Sequence, residues 1–410
     1  MGFQHGLSGL NAASRSLDSI GNNIANSGTV GFKSAATLFA DVFASTLGGG
    51  NQVGIGVSVA GISQQFTQGN MTTTSNPLDI AINGQGMFRL SNSGATTYTR
   101  NGQFNIDKNG YVVNPSGYRL TGYLANAANI IVPSTPAEIF INTADLQPLP
   151  TGNTGAGGGA KIGLNLDSRA TVIAAPFSVT DPTTYNSSTS ITVFDSLGNS
   201  HSMSMFFKKT AANSWGLYTN LNGGAASAAT PLTFNSTGAM TAPAGPPIGL
   251  VPQSHVVTTG ATTPLVFNLN LTGSTQYGNI FGVNSVSQDG YTSGRLSGLS
   301  VAADGTIQGR YSNAQKRDLA QVVLANFSNP NGLTSLGDNQ WGETTESGQS
   351  LVGVPGSGSL GVLQSAAIEE SNTDLTAELV NMITQQRAYQ ANAQTIKTQD
   401  QILQTLVNLR

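Results

Sequence analysis

The sequence predicts an α+β protein that is mostly β, with nested β domains and long N- and C-terminal α-helices pairing as a coiled coil. Three observations carry this. Both ends of the 410-residue chain place apolar residues at alternating steps of four and three, the spacing of a helical seam. The middle alternates short strand-like runs with turn dipeptides. The stretch Thr210–Gln288 holds no Asp, Glu, Lys or Arg, which sets it apart from its flanks.

The N-terminal seam runs Phe3, Leu7, Leu10, Ser14, Leu17, Gly21, Ile24 and stops at the helix-ending cluster Asn26-Ser27-Gly28. The C-terminal seam is longer: Leu375, Leu379, Met382, Gln386, Tyr389, Ala393, Ile396, Asp400, Leu403, Val407. Ser371, Asn372 and Thr373 are candidate caps, with Asp374 and Glu378 near the positive end of the helix dipole. No Pro or Gly occurs from Ser371 to Arg410, so a helix of ~55–60 Å is allowed at 1.5 Å per residue. The rest of its surface is uncharged amide and hydroxyl, including Gln385, Gln390, Gln394, Gln399 and Gln404. The shorter seam has too few residues for a core of its own, so the two ends are expected to meet, within one subunit or between subunits.

Between them, turn dipeptides at Asn83-Gly84, Asn101-Gly102, Asn109-Gly110, Ser116-Gly117, Gly198-Asn199 and Asp304-Gly305 punctuate the β region. Ser190–Lys208 reads as a hairpin around the turn at Ser196–Asn199. Breaks fall at Pro148–Gly159 and near Gln288–Gly294. If the ends meet, each inner domain is inserted into the next. The expected organisation is a terminal helical domain (1–30 and 371–410), a connector (31–75 and 355–370), an inner β domain (76–146 and 286–354) and an inserted outer β domain (147–285).

Composition excludes several functions. Charged residues make up 9% of the chain and the net charge is −3, against about 25% charged in an average soluble protein. Nucleic-acid binding needs clustered Lys and Arg, which are absent beyond Lys208-Lys209 and Lys316-Arg317. The charge offers no attraction to anionic membranes, and no run approaches the apolar length that inserts into a bilayer. With no Cys, disulfides and thiolate catalysis are ruled out. A cleavable signal would show early positive charge and an apolar run, but the first Lys or Arg is Arg15. Export, if it occurs, is expected by another route.

No enzyme is expected. His5, His201 and His255 lie in separate regions. Asp195 and His201 flank one turn but lack a nucleophile motif, and read as a surface hairpin pair. Glu369-Glu370 reads as a solvated face before the helix, and no spacing suggests a metal site. Gly356-Ser357-Gly358-Ser359-Leu360-Gly361 matches a dinucleotide fingerprint only in its glycines and reads as a flexible turn. No cofactor is expected.

The terminal segments carry more specific motifs. Ser8-Gly9-Leu10-Asn11-Ala12-Ala13, Leu17-Asp18-Ser19-Ile20-Gly21-Asn22-Asn23-Ile24-Ala25-Asn26-Ser27 and Gly31-Phe32-Lys33 resemble the N-terminal signature of the bacterial flagellar rod and hook axial family. Glu378-Leu379-Val380-Asn381-Met382-Ile383 and Gln386-Arg387-Ala388-Tyr389-Gln390-Ala391-Asn392 resemble its C-terminal signature. Gln394–Leu403 and Leu406–Arg410 are similar to the closing segment of the hook members. The resemblance continues through Asp79–Gly84, Arg100–Phe104, Leu120–Tyr123, Val193–Asn199, Tyr311–Asn313 and Val323–Phe327, and is weak from about Ala211 to Gln276. Met87 departs from the family, which commonly carries an aromatic there.

The resemblance implies a structural subunit of an extracellular flagellar tube. Such a tube is a curved, flexible universal joint that passes torque from rod to filament and encloses an export channel. It implies self-assembly into a helical homopolymer, with the flagellar rod, hook cap, hook–filament junction proteins and the type III export apparatus as partners, and export without signal cleavage. On this reading Leu7, Leu10, Leu17, Ile24, Leu375, Leu379, Met382, Tyr389, Ile396 and Leu403 form the assembly seam of the axial core. Gln385, Gln390, Gln394, Gln399 and Gln404 are the channel-lining candidates. The isolated ends, amide-rich and poor in charge pairs, are expected to be marginal helices before assembly. The alternatives are a distal rod or junction member of the same family, or, from another class, a secreted β-rich adhesin or enzyme.

Overall fold

The computed structural model describes residues 2–42, 54–126, 129–152, 159–245 and 247–408. Two helices enclose a β-rich chain: α1 (Gly2–Ala25) and α2 (Leu375–Asn408). At the end of α1, Asn26 still donates its backbone N–H to Asn22 O at 3.1 Å, and its side chain bonds the same carbonyl at 3.0 Å. The Ser27-Gly28 turn follows. α2 begins at Asp374, whose Oδ1 accepts from Thr376 N at 2.9 Å and Ala377 N at 3.1 Å. Asp374 is therefore the N-cap, and the candidates Ser371, Asn372 and Thr373 are not.

The chain folds into two compact units, 1–143 with 298–310 and 316–410, and 144–297 with 311–315. In the first, α1 and α2 pack together, beside an antiparallel ribbon of β1 (Ala35–Val42) and β2 (Gly56–Gln64) with a bulge between Leu38 and Phe39. The β body of this unit is a sheet in which Arg119–Leu124 lies between Lys316–Val322 and Met87–Asn92. Met87–Asn92 turns into Ala95–Thr99, and Tyr98 pairs with Trp341 on the next strand. Phe88, Leu90 and Leu120 on these strands, with Ile80, Ile82, Phe104, Ile139 and Ile141 from the segments around them, are each no more than 1% exposed. An edge-to-face pair, Tyr98–Phe327 with centroids 4.7 Å apart, belongs to a separate apolar cluster with Met87, Ala325 and Trp341.

The second unit holds two five-stranded sheets. One runs Ser187–Phe194, Ser200–Ala211, Ser214–Leu221, Thr230–Phe234, Met240–Ala242. Its first two strands form the expected hairpin, with Ile191 opposite Met203 and Val193 opposite His201. Gly198 takes φ +82° in the connecting turn, a conformation open to glycine at no steric cost. In the other sheet Gly159–Asp167 runs parallel to Leu265–Asn270 and Thr275–Tyr277 and antiparallel to Gly282–Gln288. Val193, Met203, Met205, Phe207, Trp215, Leu217, Leu232, Phe267 and Leu269 fill the core between the sheets. Several of its buried polar side chains have neutral partners. Trp215 Nε1 donates to Gln276 Oε1 at 2.8 Å and Thr219 Oγ1 to Gln253 Oε1 at 2.7 Å.

Candidate assembly site

The helices run antiparallel. Near one end Gly6 lies against Ile396 and Gly9 against Asn392. Near the other, Asn23 Nδ2 donates to Glu378 Oε1 at 3.0 Å. The half-buried positions of α2 include Glu378, Met382, Gln385, Asn392, Ile396 and Gln399. They recur at heptad spacing and contain the residues that touch α1, so α2 turns a mixed amide and apolar row toward its partner. α1 is also fixed to the ribbon. Ser19 Oγ donates to Ala35 O at 3.0 Å, and Asn23 both donates to Ala35 O and accepts from Ala35 N at 2.9 Å.

Gly6, Ala12, Ala13, Ser16, Ser19, Ile20 and Asn23 are the buried positions of α1. This small-residue row lets the helix approach both neighbours closely, and the sequence reading missed it. Its signal was present in the Gly6/Gly9 and Ala12-Ala13 spacing, but small residues add little to a hydrophobic pattern. The larger seam residues lie differently. Leu10, Leu17, Ile24, Met382 and Ile396 are half-buried, while Leu7 is 44% exposed, Leu379 45%, Leu403 55%, and Leu375 and Tyr389 also face solvent. Phe3, Val380, Ile383, Ile402 and Val407 join them on the uncovered surface. Met382, Tyr389, Ile396 and Leu403 are seven residues apart and share one face of α2, so the chain covers this apolar face only in part, and α1 leaves Phe3 and Leu7 open near its start. Of the five channel candidates, Gln385 and Gln399 are half-buried and Gln390, Gln394 and Gln404 are exposed.

Where the helices join the β body, three charges are buried together. Lys33 Nζ lies 2.6 Å from Glu369 Oε1 and Arg100 Nε lies 2.9 Å from Glu369 Oε2, with no side chain more than 4% exposed. The expected solvated face at Glu369-Glu370 is therefore overturned at Glu369. That carboxylate also accepts from Gly69 N at 2.9 Å, and Lys33 donates to Thr67 O at 2.6 Å. Arg100 Nη1 donates to Gly84 O at 3.0 Å and Gly86 O at 2.6 Å. Burial pushes the Lys33 ammonium and the Arg100 guanidinium down, and Glu369 only partly restores them. Sequence distance hid this cluster: Lys33 and Glu369 are 336 residues apart.

The second unit brings Asp195 and His201 together at 3.1 Å, but both are buried, which corrects the expectation of a surface pair. Asp195 accepts from Leu197 N and Asn199 N at 2.9 Å and from Thr259 Oγ1 at 2.6 Å. Burial pushes its carboxyl up. The hydrogen bonds from Thr259, Asn199 and His201 outweigh that and hold it well below the usual carboxylate range. Asn222 Oδ1 accepts from Ser202 N at 2.9 Å, so its Nδ2 faces His201 Nδ1 at 2.8 Å. With Nδ1 accepting and Nε2 donating to Asp195, the imidazole has no free lone pair to act as a base. Among the described residues no group of His, Asp and Glu is placed to hold a metal, and no described helix is long and apolar enough to cross a membrane.

Comparison with known proteins follows the same order along the chain. Residues 3–33 match the family described as Flagella basal body rod protein, and 81–144 match Flagellar hook protein FlgE/F/G D1 domain. Residues 165–291 match Flagellar basal body protein FlaE D2 domain, and 364–409 match Flagellar basal body rod FlgEFG protein C-terminal. The chain is 46% identical over 419 residues to the flagellar hook protein FlgE of Salmonella typhimurium, with 100% of both chains covered. It is 44% identical over 439 residues to that of Escherichia coli, again with 100% of both covered. Against that of Borreliella burgdorferi it is 33% identical over 442 residues, covering 99% of this chain and 98% of the relative. Among solved structures, the Helicobacter pylori flagellar hook protein FlgE2 superposes with a TM-score of 0.52 at 13% identity, over 72% of this chain and 99% of that one, a likeness of fold.

Proposed function

Because this chain belongs to the flagellar hook protein family and is a structural subunit of the bacterial flagellar hook, we propose that its copies meet through the uncovered apolar residues of the paired terminal helices. The observation that carries this is the set of apolar side chains that the helix pair leaves uncovered. Leu7, Leu375, Leu379, Tyr389 and Leu403 remain exposed after α1 and α2 have packed on each other, and a monomer gains nothing by leaving such side chains wet. A head-to-tail contact whose rotation does not close produces an open helical tube. Leu10, Leu17, Ile24, Met382 and Ile396 stiffen the pair from within, and the exposed apolar residues bind the neighbours.

In this reading the tube works as a universal joint and encloses a channel, and Gln390, Gln394 and Gln404 line the wall. Their uncharged amides stay wet without holding a charged, unfolded cargo. Gln385 and Gln399, turned toward α1, support the helix pair instead. The charge-poor second unit suits sliding contacts, since buried ion pairs between subunits would cost ~3–5 kcal/mol to break at each rotation. The proposed partners are further copies of the chain, the rod, the hook cap, the hook–filament junction proteins and the type III export apparatus. The subunit is proposed to reach the cell exterior through that apparatus without signal cleavage.

Negative-stain microscopy of the purified chain tests the assembly reading. Tubes at high protein concentration are expected. Monomers that persist at all concentrations would count against assembly through this surface.

A further inference from the structure

The β body and the helical part of the first unit are joined where the chain passes through 26–34, 65–70 and 370–374, and every one of these crossings is tied to the same few residues. Gly31 N donates to Glu369 O at 2.8 Å, and Glu370 N to Asn70 O at 2.8 Å. Asn372 Oδ1 accepts from Ser34 N at 2.8 Å while its Nδ2 donates to Gln65 O at 2.7 Å. Lys33 reaches Thr67 O, Glu369 reaches Gly69 N, and Arg100 extends from the β body to meet that carboxylate. We propose that Lys33, Glu369 and Arg100 are positioning residues that clamp the terminal helices to the β body at a fixed angle, and so set the curvature and stiffness of the assembled hook.

This rests on the hook reading, and it goes beyond it in saying where deformation is not permitted. The β body has its own apolar core, and the cluster lies outside it. Burying two cations on one carboxylate is a poor source of stability compared with apolar packing. Its gain is directional. Lys33 Nζ at 2.6 Å, Gly69 N at 2.9 Å and Arg100 Nη2 at 3.4 Å all donate to Glu369 Oε1, and these donors leave few orientations for the crossings. A junction sealed only by apolar contacts would let the helices rock on the body. This one holds them, so bending strain passes to contacts between copies.

The test compares hooks assembled from the full-length chain with those of Glu369→Gln, Lys33→Met and Lys33→Arg. Glu369→Gln keeps the shape and removes the only anion. It is expected to speed amide exchange at 29–35 and 366–372 at least tenfold, and to yield hooks with altered curvature and at least a twofold lower persistence length. Lys33→Met retains the Arg100–Glu369 pair and is expected to give a smaller change of the same sign at an unchanged subunit melting temperature, with Lys33→Arg nearer wild type. Glu369→Gln hooks of wild-type curvature and stiffness overturn the clamp. If that variant yields no hooks, the Lys33 pair decides, and Lys33→Met hooks that match wild type overturn it. A wild-type chain that forms no tubes counts against the hook reading itself.

Discussion

Gly6 on α1 lies so close to Ile396 on α2 that a β-carbon built on it would stand 2.8 Å from Ile396 Cγ1. Gly9 is similarly near Asn392, at 2.7 Å from its amide, but a side-chain amide can swing aside and a branched Cγ cannot. Alanine gains about 1 kcal/mol of helix propensity over glycine, whereas overpacking costs about 1–3 kcal/mol. Gly6→Ala is therefore expected to loosen the helix pair, and Gly9→Ala to be close to neutral. Amide exchange around 392–399 measures both.

Leu379 and Leu403 are exposed in the subunit and are assigned to contacts between copies. Leu379→Gln and Leu403→Gln should each leave the melting of the monomer within about 0.5 kcal/mol of wild type, the usual range for surface positions. The same variants should fail to sediment as tubes. Normal tubes from the double variant would remove these residues from the assembly.

At the start of α2 the side chains have separate tasks. Asp374 caps the helix, so Asp374→Ala should cost about 0.5–2 kcal/mol, read as faster exchange at Thr376 and Ala377. Asn372→Ala should instead free the bonds to Ser34 and Gln65 and raise exchange at the crossing while sparing the first helical turn.

Asp195 gives the second unit an acid-sensitive point. Its carboxyl is held well below the ordinary carboxylate value of 3.8, so the native state binds this proton less readily than the unfolded chain does. The resulting stability is fully present above that value and is lost as pH falls below it toward the depressed one. Trp215 sits in this unit and Trp341 in the other, so fluorescence melts of a Trp341→Phe chain follow the second unit alone. Wild type should lose stability steadily below pH 3.8. Asp195→Ala should start about 2 kcal/mol or more lower, because its charged hydrogen bonds are gone, and should be flatter across the same window.

The helices were legible because large apolar residues at steps of four and three mark a seam whatever it packs against. Which row faces the partner chain segment was not legible, since Gly6, Gly9 and Ala13 carry almost no hydrophobic signal. Proximity of Asp195 and His201 could be read from the turn between them. Their burial could not, because it depends on Thr259, 64 residues from Asp195. Glu369 was misread for the same reason: a Glu-Glu doublet before a helix looks solvated until Lys33 and Arg100 are brought to it from 336 and 269 residues away.

The neutral pairings inside the second unit bear on the medium in which a hook works. Trp215 with Gln276 and Thr219 with Gln253 are dipolar contacts, and dissolved ions do not screen them as they screen exposed charges. The Asp195 side chain is buried as well. Fresh water and brine should therefore leave the interior of this unit equally firm, so a flagellum moving between them keeps the same joint.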